Sequence, residues 1–224
     1  MASGKLKWPE TLNPQQRVER ARALVSIQID NLRELVAISE ANRLIIYTPI
    51  LANQIPRSYA ANAFTVFQWS SLNYEILRAC AIWDNPRKDR ASIPTILALM
   101  EEPACLAIVE KELGWDSRYS ALQMKRFFRA RHVAQLVKAS RFHRALLSFR
   151  NERVAHNLDF GTRVSPPPTL KYGYERRLLR ASIAVINNLN GALRDSSFMF
   201  DDAIEQSKRN AEALWQGCTF SVLE

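Results

Sequence analysis

Three residues near position 150 have side chains that suit chemistry on a phosphodiester. Arg150, Asn151 and His156 lie in residues 149–161, which read FRNERVAHNLDFG. An arginine holds phosphate oxygens with a fork of donors, and a histidine can move a proton near neutral pH. A neighbouring amide can orient either group by hydrogen bonding. These residue types suit metal-free cleavage of a phosphodiester, although the spacing alone is unspecific.

Each of these side chains also has a purely structural interpretation. His156 lies seven residues after Phe149, on an apolar stripe, and can be a hydrogen-bonded core histidine near a helix end. Arg150 can form an ion pair at an interface, and Asn151 can simply interrupt a helix face. In a straight α-helix, the six-residue offset separates Arg150 from His156 by about 120° and about 9 Å. A second chain would therefore bring the two together better than one helix does.

The motif lies in the most basic third of the chain. Residues 121–180 contain 14 Lys and Arg against three acidic residues, a net charge of +11, so the remainder carries about −2 of the total of +9. Such polarity favours a polyanionic partner. RNA or DNA fits better than a membrane, because neither terminus carries a strongly amphipathic basic segment. Solvated basic helix faces are the structural alternative.

Several residues of this basic region are candidates for contact with the nucleic-acid backbone. We predict that four cations follow an RNA strand: Lys138, Arg141, Arg144 and Arg153. Two further histidines, His132 and His143, have no carboxylate or cysteine at ligand spacing, so surface positions are predicted for them rather than metal ligation.

Composition and length bound the remaining possibilities. The chain has 224 residues, of which 47% are apolar, enough for a sizeable core. Its first residues lack the apolar run of a secretory signal, and no stretch is long and apolar enough to span a bilayer. Three distant cysteines, Cys80, Cys105 and Cys218, form neither a disulfide framework nor a C-x-x-C site. A cytoplasmic protein without membrane association, with reduced thiols, is predicted.

Helical periodicity runs through most of the sequence. Six glycines and the lack of sustained alternation argue against a sheet, so we predict an all-α fold, an up-and-down bundle with additional short helices. Residues 1–12 are predicted to be a flexible arm and residues 13–224 a single domain. Helices are predicted at 14–46, 57–83, 93–100, 103–114, 119–158, 174–194 and from Asp201, with 119–158 as one helix or two.

Capping and apolar patterns refine three of these helices. Asn13 before Pro14 predicts the start of the first helix, and Ser92 predicts the start of the helix that follows the loop at 84–92. Residues 57–83 are apolar on more than one side, which is typical of a helix at the centre of a bundle. Core packing rather than base stacking is predicted for the tryptophans in apolar patterns, or for most of them: Trp69, Trp83, Trp115 and Trp215.

The motif and its flanking segments resemble a known family. Arg150, Asn151 and His156 match the Arg-x(4–6)-His motif, with a polar residue after the arginine, of the HEPN superfamily (higher eukaryotes and prokaryotes nucleotide-binding). The segments IWDNPRKDRASIPTIL, RNERVAHNLD and LKYGYERRLLRASIAVINNLNGAL are similar, in order and spacing, to its AbiU-type abortive-infection branch. Together the matching pieces cover roughly residues 70–220.

The resemblance implies a helical bundle that forms a homodimer through the helix at 150–156, so that two motifs line one cleft. Many HEPN proteins are metal-independent endoribonucleases that act in phage defence or as toxins, with RNA as substrate and in some systems an antitoxin partner. Arg150 would then hold the phosphate, His156 would transfer the proton, and Asn151 would orient them. No metal or other cofactor is expected. Other members are non-catalytic modules that bind RNA or a protein partner, which is the alternative function.

Overall fold

The part of the chain that the structure describes consists of helices joined by short loops. The computed structural model describes residues 8–55, 59–112, 114, 117–154 and 169–220, with the backbone alone at 50, 117–119, 153 and 154. In these residues it contains no strand, and its elements are α1 (Pro14–Ile45), α2 (Ile50–Gln54), α3 (Tyr59–Ala81), α4 (Ile93–Leu99), α5 (Pro103–Glu112), α6 (Ser117–Ala139), α7 (Arg141–Phe149), a π-helical turn (Arg150–Val154), α8 (Tyr174–Arg194) and α9 (Phe200–Trp215). The predicted all-α class with additional short helices is confirmed. Within the same residues, no helix has the length and hydropathy needed to cross a membrane.

Local capping explains where two helices begin. At α1, the Asn13 side chain accepts a hydrogen bond from the Gln16 N–H at 2.9 Å, and the Gln16 side chain accepts one from the Asn13 N–H at 3.1 Å. This reciprocal pair satisfies two backbone donors at the helix start. At α4, Ser92 accepts from the Thr95 N–H at 3.3 Å. Both predicted N-caps are confirmed.

Other boundaries differ from the sequence-based prediction. The short helix α2 lies after Pro49, where the sequence predicts only loop. Asp201 is the predicted cap of the last helix, but α9 begins at Phe200 and Asp201 lies in its first turn. The stretch at 119–158, predicted as one helix or two, divides at Ser140, in agreement with the second alternative; the Ser140 N–H and hydroxyl both donate to the Val137 carbonyl, at 3.0 and 2.6 Å. Such local bonds compete with helix continuation.

The prediction of a central position for α3 holds only for the second half of that helix. Leu72, Ile76 and Cys80 are buried, whereas Val66 is 66% exposed and Trp69 is 48% exposed. The prediction that Trp69 packs in the core is therefore wrong. In the first half of α3, the other helices cover only some of the apolar side chains, and the rest are exposed.

The chain folds into two compact units, each built from three separate segments. The first unit comprises Met1–Asn31, Ala81–Ser140 and Arg180–Phe198, and the second comprises Leu32–Cys80, Arg141–Leu179 and Met199–Glu224. The predicted arm at 1–12 and single domain at 13–224 stay predictions.

The first unit packs around a buried tryptophan. Trp83 is buried as predicted, together with Ile96, Leu99 and Phe127. Its indole N–H donates to the Ser182 hydroxyl at 2.8 Å, so the polar group of the ring is satisfied inside the core. This bond ties the segment before α4 to α8 within this unit.

The second unit combines an aliphatic core with an aromatic contact between two helices. Leu35, Ile76 and Leu146 are buried in it. Phe67 of α3 lies 6.0 Å from Trp215 of α9, measured between ring centroids. This unit contains α7 and the π-helical turn, which carry the first two residues of the predicted site.

Candidate functional site

The first two motif residues lie on an unusual piece of helix. Arg150 directly follows the end of α7 and begins the π-helical turn, which extends to Val154. π-Helical turns are rare and occur frequently at functional sites. Because their hydrogen bonds run from i to i+5, the turn holds more residues than an α-helical turn. The separation of about 120° expected for a straight α-helix therefore does not apply over residues 150–154.

Arg150 and Asn151 are joined by a hydrogen bond. The Nε of Arg150 donates to the Oδ1 of Asn151 at 3.0 Å. Arg150 is half-buried and Asn151 is exposed. The amide thereby restricts the orientation of the guanidinium, which is the kind of positioning that a phosphate-binding arginine requires. The predicted partner of Asn151 is the phosphate or the histidine, so its bond to Arg150 is an additional finding.

His156, the third motif residue, falls outside the described residues, as does everything from 155 to 168. The same holds for the side chain of Arg153. The catalytic role predicted for His156 and the RNA contact predicted for Arg153 stay predictions.

A buried glutamate lies inside the motif and was not singled out from the sequence. Glu152 is 4% exposed and accepts a hydrogen bond from the Ser148 hydroxyl, one turn earlier. Since Asn151 is exposed, the π-helical turn has an open side at Asn151 and a packed side at Glu152. The sequence signal was the four-residue spacing of Ser148 and Glu152, which places them on one helix face.

The predicted RNA-binding cations are exposed where the structure describes their side chains. Arg141 and Arg144 lie on the open side of α7, and Lys138 is exposed near the end of α6. His132 is exposed, as predicted. The surface position predicted for His143 is wrong, because His143 is 4% exposed and lies three residues before the buried Leu146 on the packed face of α7.

The second unit also contains a buried polar network that the sequence analysis does not predict. Asn42 of α1 donates to Glu75 of α3 at 2.7 Å and to the Ser71 carbonyl at 3.2 Å, and the Ser71 hydroxyl donates back to the Asn42 amide oxygen at 2.5 Å. Glu75 is 1% exposed, and among the described residues its Oε1 has no hydrogen-bond partner. The signal was the single acidic residue of α3, a helix rich in apolar side chains.

Burial changes the acidity of this glutamate. Desolvation, together with the charge of nearby Glu175, raises the pKa of Glu75 to about 7, although hydrogen bonds from Asn42 and Ser39 and the charge of Arg176 act in the opposite direction. A carboxyl group with this pKa exchanges its proton near neutral pH, which ordinary glutamates do not.

A second buried carboxylate lies at the start of α8. Glu175 accepts a hydrogen bond from the Tyr47 hydroxyl at 2.6 Å and another from the Gly173 N–H at 3.1 Å, both at the same oxygen. Burial and the bond to Glu175 raise the pKa of Tyr47 well above its ordinary value, so the phenol stays a proton donor. Arg176, the next residue, donates to Glu40 at 3.2 Å. These bonds fix the start of α8 against the end of α1.

Comparison with known proteins agrees with the motif and the helices. A family model described as AbiU2, of the HEPN AbiU2 family, matches residues 17–214. No curated protein and no solved structure matches the chain. The matched region contains α2 to α8, the π-helical turn and nearly all of α1 and α9, so it includes the Arg150–Asn151 pair and the buried carboxylates. Because this region is most of the 224 residues, the chain belongs to the HEPN AbiU2 family.

Proposed function

We propose that this protein is a metal-independent endoribonuclease of the HEPN type, which acts in phage defence by abortive infection or as a toxin. The observation that carries the proposal is the hydrogen-bonded pair of Arg150 and Asn151 on a π-helical turn, in a chain of this family. The arginine is followed at the family's spacing by His156. A phosphate-binding group and a proton-transfer group are the minimum that RNA cleavage needs, because RNA carries its own nucleophile.

The chemistry follows from these groups. His156 takes the proton of a ribose 2'-hydroxyl, whose oxygen then forms a bond to the adjacent phosphorus while the bond from phosphorus to the 5'-oxygen breaks. Arg150 binds the phosphate and stabilises the negative charge that develops on its oxygens. The 5'-oxygen takes a proton from water as it leaves, and His156 then releases to solvent the proton that it accepted. The products are a 2',3'-cyclic phosphate and a 5'-hydroxyl, and DNA, which has no 2'-hydroxyl, is not cut.

The proposal includes an assembly and a location. Two copies associate through the segment at 150–156, so that their motifs line a shared cleft, in the cytoplasm where RNA is available. An antitoxin protein is a further partner in the toxin case. The exposed cations Lys138, Arg141 and Arg144 bind the RNA backbone, together with Arg153.

Cleavage in the absence of metal tests the proposal. Purified protein should cut single-stranded RNA in the presence of EDTA and leave 2',3'-cyclic ends. His156→Ala and Arg150→Ala should each lower the rate by about 100-fold or more while the proteins stay folded. His132→Ala, an exposed histidine, is the matched control and should retain activity. Equal rates for wild type and His156→Ala would refute the ribonuclease assignment.

A non-catalytic module that binds RNA or a protein partner is the second candidate. The exposed cations of α6 and α7 favour RNA binding even if no bond is cut. In that case affinity for RNA falls steeply with salt, the Arg141→Gln and Arg144→Gln variants weaken it, and no cyclic-phosphate ends appear.

A further inference from the structure

A cavity in the first unit combines an apolar floor with cations at its mouth. Its volume is about 230 Å³, and its lining includes Trp83, Phe127 and Ala134, all nearly buried. Small side chains leave the space, since Ala98 of α4 and Ala134 of α6 both contribute to the lining. The cavity is large enough for one flat ring system and too small for a folded segment of protein.

One face of α6 supplies the polar side of this cavity. Arg131, Ala134, Gln135 and Lys138 all line it. Their spacing of three, four and seven residues places them on the same side of a helix. The two cations are seven residues apart, about 10 Å along the axis, and the small Ala134 and the amide Gln135 lie between them. Arg131, Gln135 and Lys138 are exposed, so their polar groups are accessible.

The charge of α6 identifies the class of ligand. This helix carries six Lys and Arg and no acidic residue over Ser117–Ala139, and two of these cations, Arg131 and Lys138, line the cavity, which favours an anionic ligand. A ligand with a flat, largely apolar ring and flanking negative charges would satisfy both the floor and the mouth. The one acid among the lining residues, Glu101, can accept a hydrogen bond from an N–H group at the edge of a base, whereas it would repel the carboxylates of an acidic peptide.

We propose that this cavity binds one unpaired nucleotide of single-stranded RNA. The base lies on the apolar floor, Gln135 and Glu101 contact its polar edge, and Arg131 and Lys138 hold the adjoining phosphates. The proposal rests on the proposed function in that RNA is the ligand and that Lys138 contacts its backbone. It adds a base-dependent site on residues other than the Arg150 and His156 motif.

A substitution that fills the cavity with a larger side chain tests base binding separately from charge attraction. In a His156→Ala background, Ala98→Trp should weaken binding of a fluorescent oligo-U RNA by about tenfold, the range typical of one stacked base. Binding of an abasic ribose-phosphate oligomer of the same length should not change, since that probe has no ring. Unchanged affinity for oligo-U, or an equal loss for both probes, would overturn the proposal.

Substitutions at exposed residues provide a second test in case the Ala98→Trp protein does not fold. Arg131→Gln should weaken both probes and lower the salt dependence of binding by about one counterion. Arg129→Gln removes the same charge from an exposed position of α6 that does not line the cavity, and should have the smaller effect. Equal effects of the two substitutions would contradict the cavity as the binding site.

Two outcomes distinguish this site from the proposed function. If wild type binds RNA in a base-dependent way but cuts none, the ribonuclease activity is refuted and the cavity is supported as a binding site. If wild type cuts RNA but Ala98→Trp does not change binding, only the assignment of the cavity is refuted.

A third outcome concerns the class of ligand. Displacement of oligo-U by poly-glutamate from wild type but not from Ala98→Trp would assign the cavity to an acidic protein segment, and would overturn the RNA assignment.

Discussion

In the proposed reaction, the hydrogen bond between Arg150 and Asn151 would position the arginine for binding phosphate. A free arginine samples many rotamers, and ordering it on substrate costs entropy. The Asn151 amide, which accepts from the guanidinium Nε at 3.0 Å, restricts that freedom before substrate arrives. The bond uses the Nε edge of the guanidinium, so the amide restrains Arg150 at a point other than its two terminal nitrogens. Asn151 is therefore a positioning residue in the proposed reaction.

Removing the amide should lower activity without harming the fold. We expect Asn151→Ala to reduce the rate of RNA cleavage by about tenfold, the effect of misplacing one catalytic group. Its thermal unfolding should match that of wild type, because Asn151 is exposed. The loss should appear in kcat more than in KM. Asn210→Ala, which removes an exposed amide from α9, is the control and should leave the rate unchanged.

Glu75 gives the second unit a stability that depends on pH. Its pKa is raised from 4.5 to about 7 in the folded state, chiefly by burial. Between these two values the folded chain binds more protons than the unfolded chain. The contribution of Glu75 is therefore complete below about pH 4.5 and is lost as the pH rises through about 7, at a cost of about 3 kcal/mol in free energy of unfolding.

Glu75→Gln should remove this dependence, since an amide of the same shape stays neutral and can still accept from Asn42. The free energy of unfolding, measured with urea at several pH values, should rise for the variant relative to wild type as the pH increases from 5 to 8. The gain should approach about 3 kcal/mol. Glu34→Gln, at an exposed glutamate on α1, is the control, and its free energy of unfolding should show the same pH dependence as that of wild type. A parallel curve for Glu75→Gln would mean that Glu75 does not titrate in this range.

At the scale of elements, short polar contacts decide where helices begin and end. Ser92 caps α4 while its hydroxyl donates to the Asp84 carbonyl at 2.9 Å, so one buried side chain joins the loop at 84–92 to the helix. Ser140 ends α6 by bonding back to Val137, and the π-helical turn then alters the helix after α7. The motif residues thus lie beyond two interruptions in what the sequence shows as one basic stretch.

Loss of the α4 cap should be measurable as stability. Ser92→Ala leaves the Thr95 N–H without its side-chain acceptor, and we expect a loss of about 1–2 kcal/mol in free energy of unfolding. We expect the loss of stability to lie at the upper end of this range because Ser92 is fully buried. Ser196→Ala, at an exposed serine in the loop after α8, should change the stability by less than about 0.5 kcal/mol.

At the scale of the whole molecule, the charge distribution and the proposed dimer determine how RNA would be held. Residues 121–180 carry a net charge of +11 and the rest of the chain about −2, so the basic residues are concentrated around the motif and along α6. Two copies brought together at this segment repel each other unless a polyanion lies between them. RNA should therefore stabilise the dimer, and high salt should weaken RNA binding.

Mixed dimers test whether one site draws on two chains. If Arg150 of one protomer acts with His156 of the other, an inactive Arg150→Ala protein and an inactive His156→Ala protein should regain partial activity when they are mixed and allowed to exchange subunits. Each mixed dimer then holds one intact pair. Two samples of His156→Ala mixed in the same way are the control. No recovery, in a mixture shown to contain mixed dimers, would place both residues of each site in a single chain.

The sequence alone determined the features that depend on neighbours along the chain. The caps at Asn13 and Ser92, the all-helical class and the bounds of α8 follow from hydrogen bonds within one turn and from the helical period. Family membership also follows from the linear order of the motifs. The family match confirms it over residues 17–214.

Only the tertiary structure decided which side chains are covered, because burial depends on residues that are distant in sequence. Asn42 meets Glu75 across 33 residues, and Tyr47 meets Glu175 across 128, so neither pair is visible as a spacing. The predictions for His143 and Trp69 are wrong for the same reason, since an apolar or polar residue type does not show whether a neighbouring helix covers it. The polar network, the open half of α3 and the cavity beside α6 are consequences of helix packing, which no local pattern encodes.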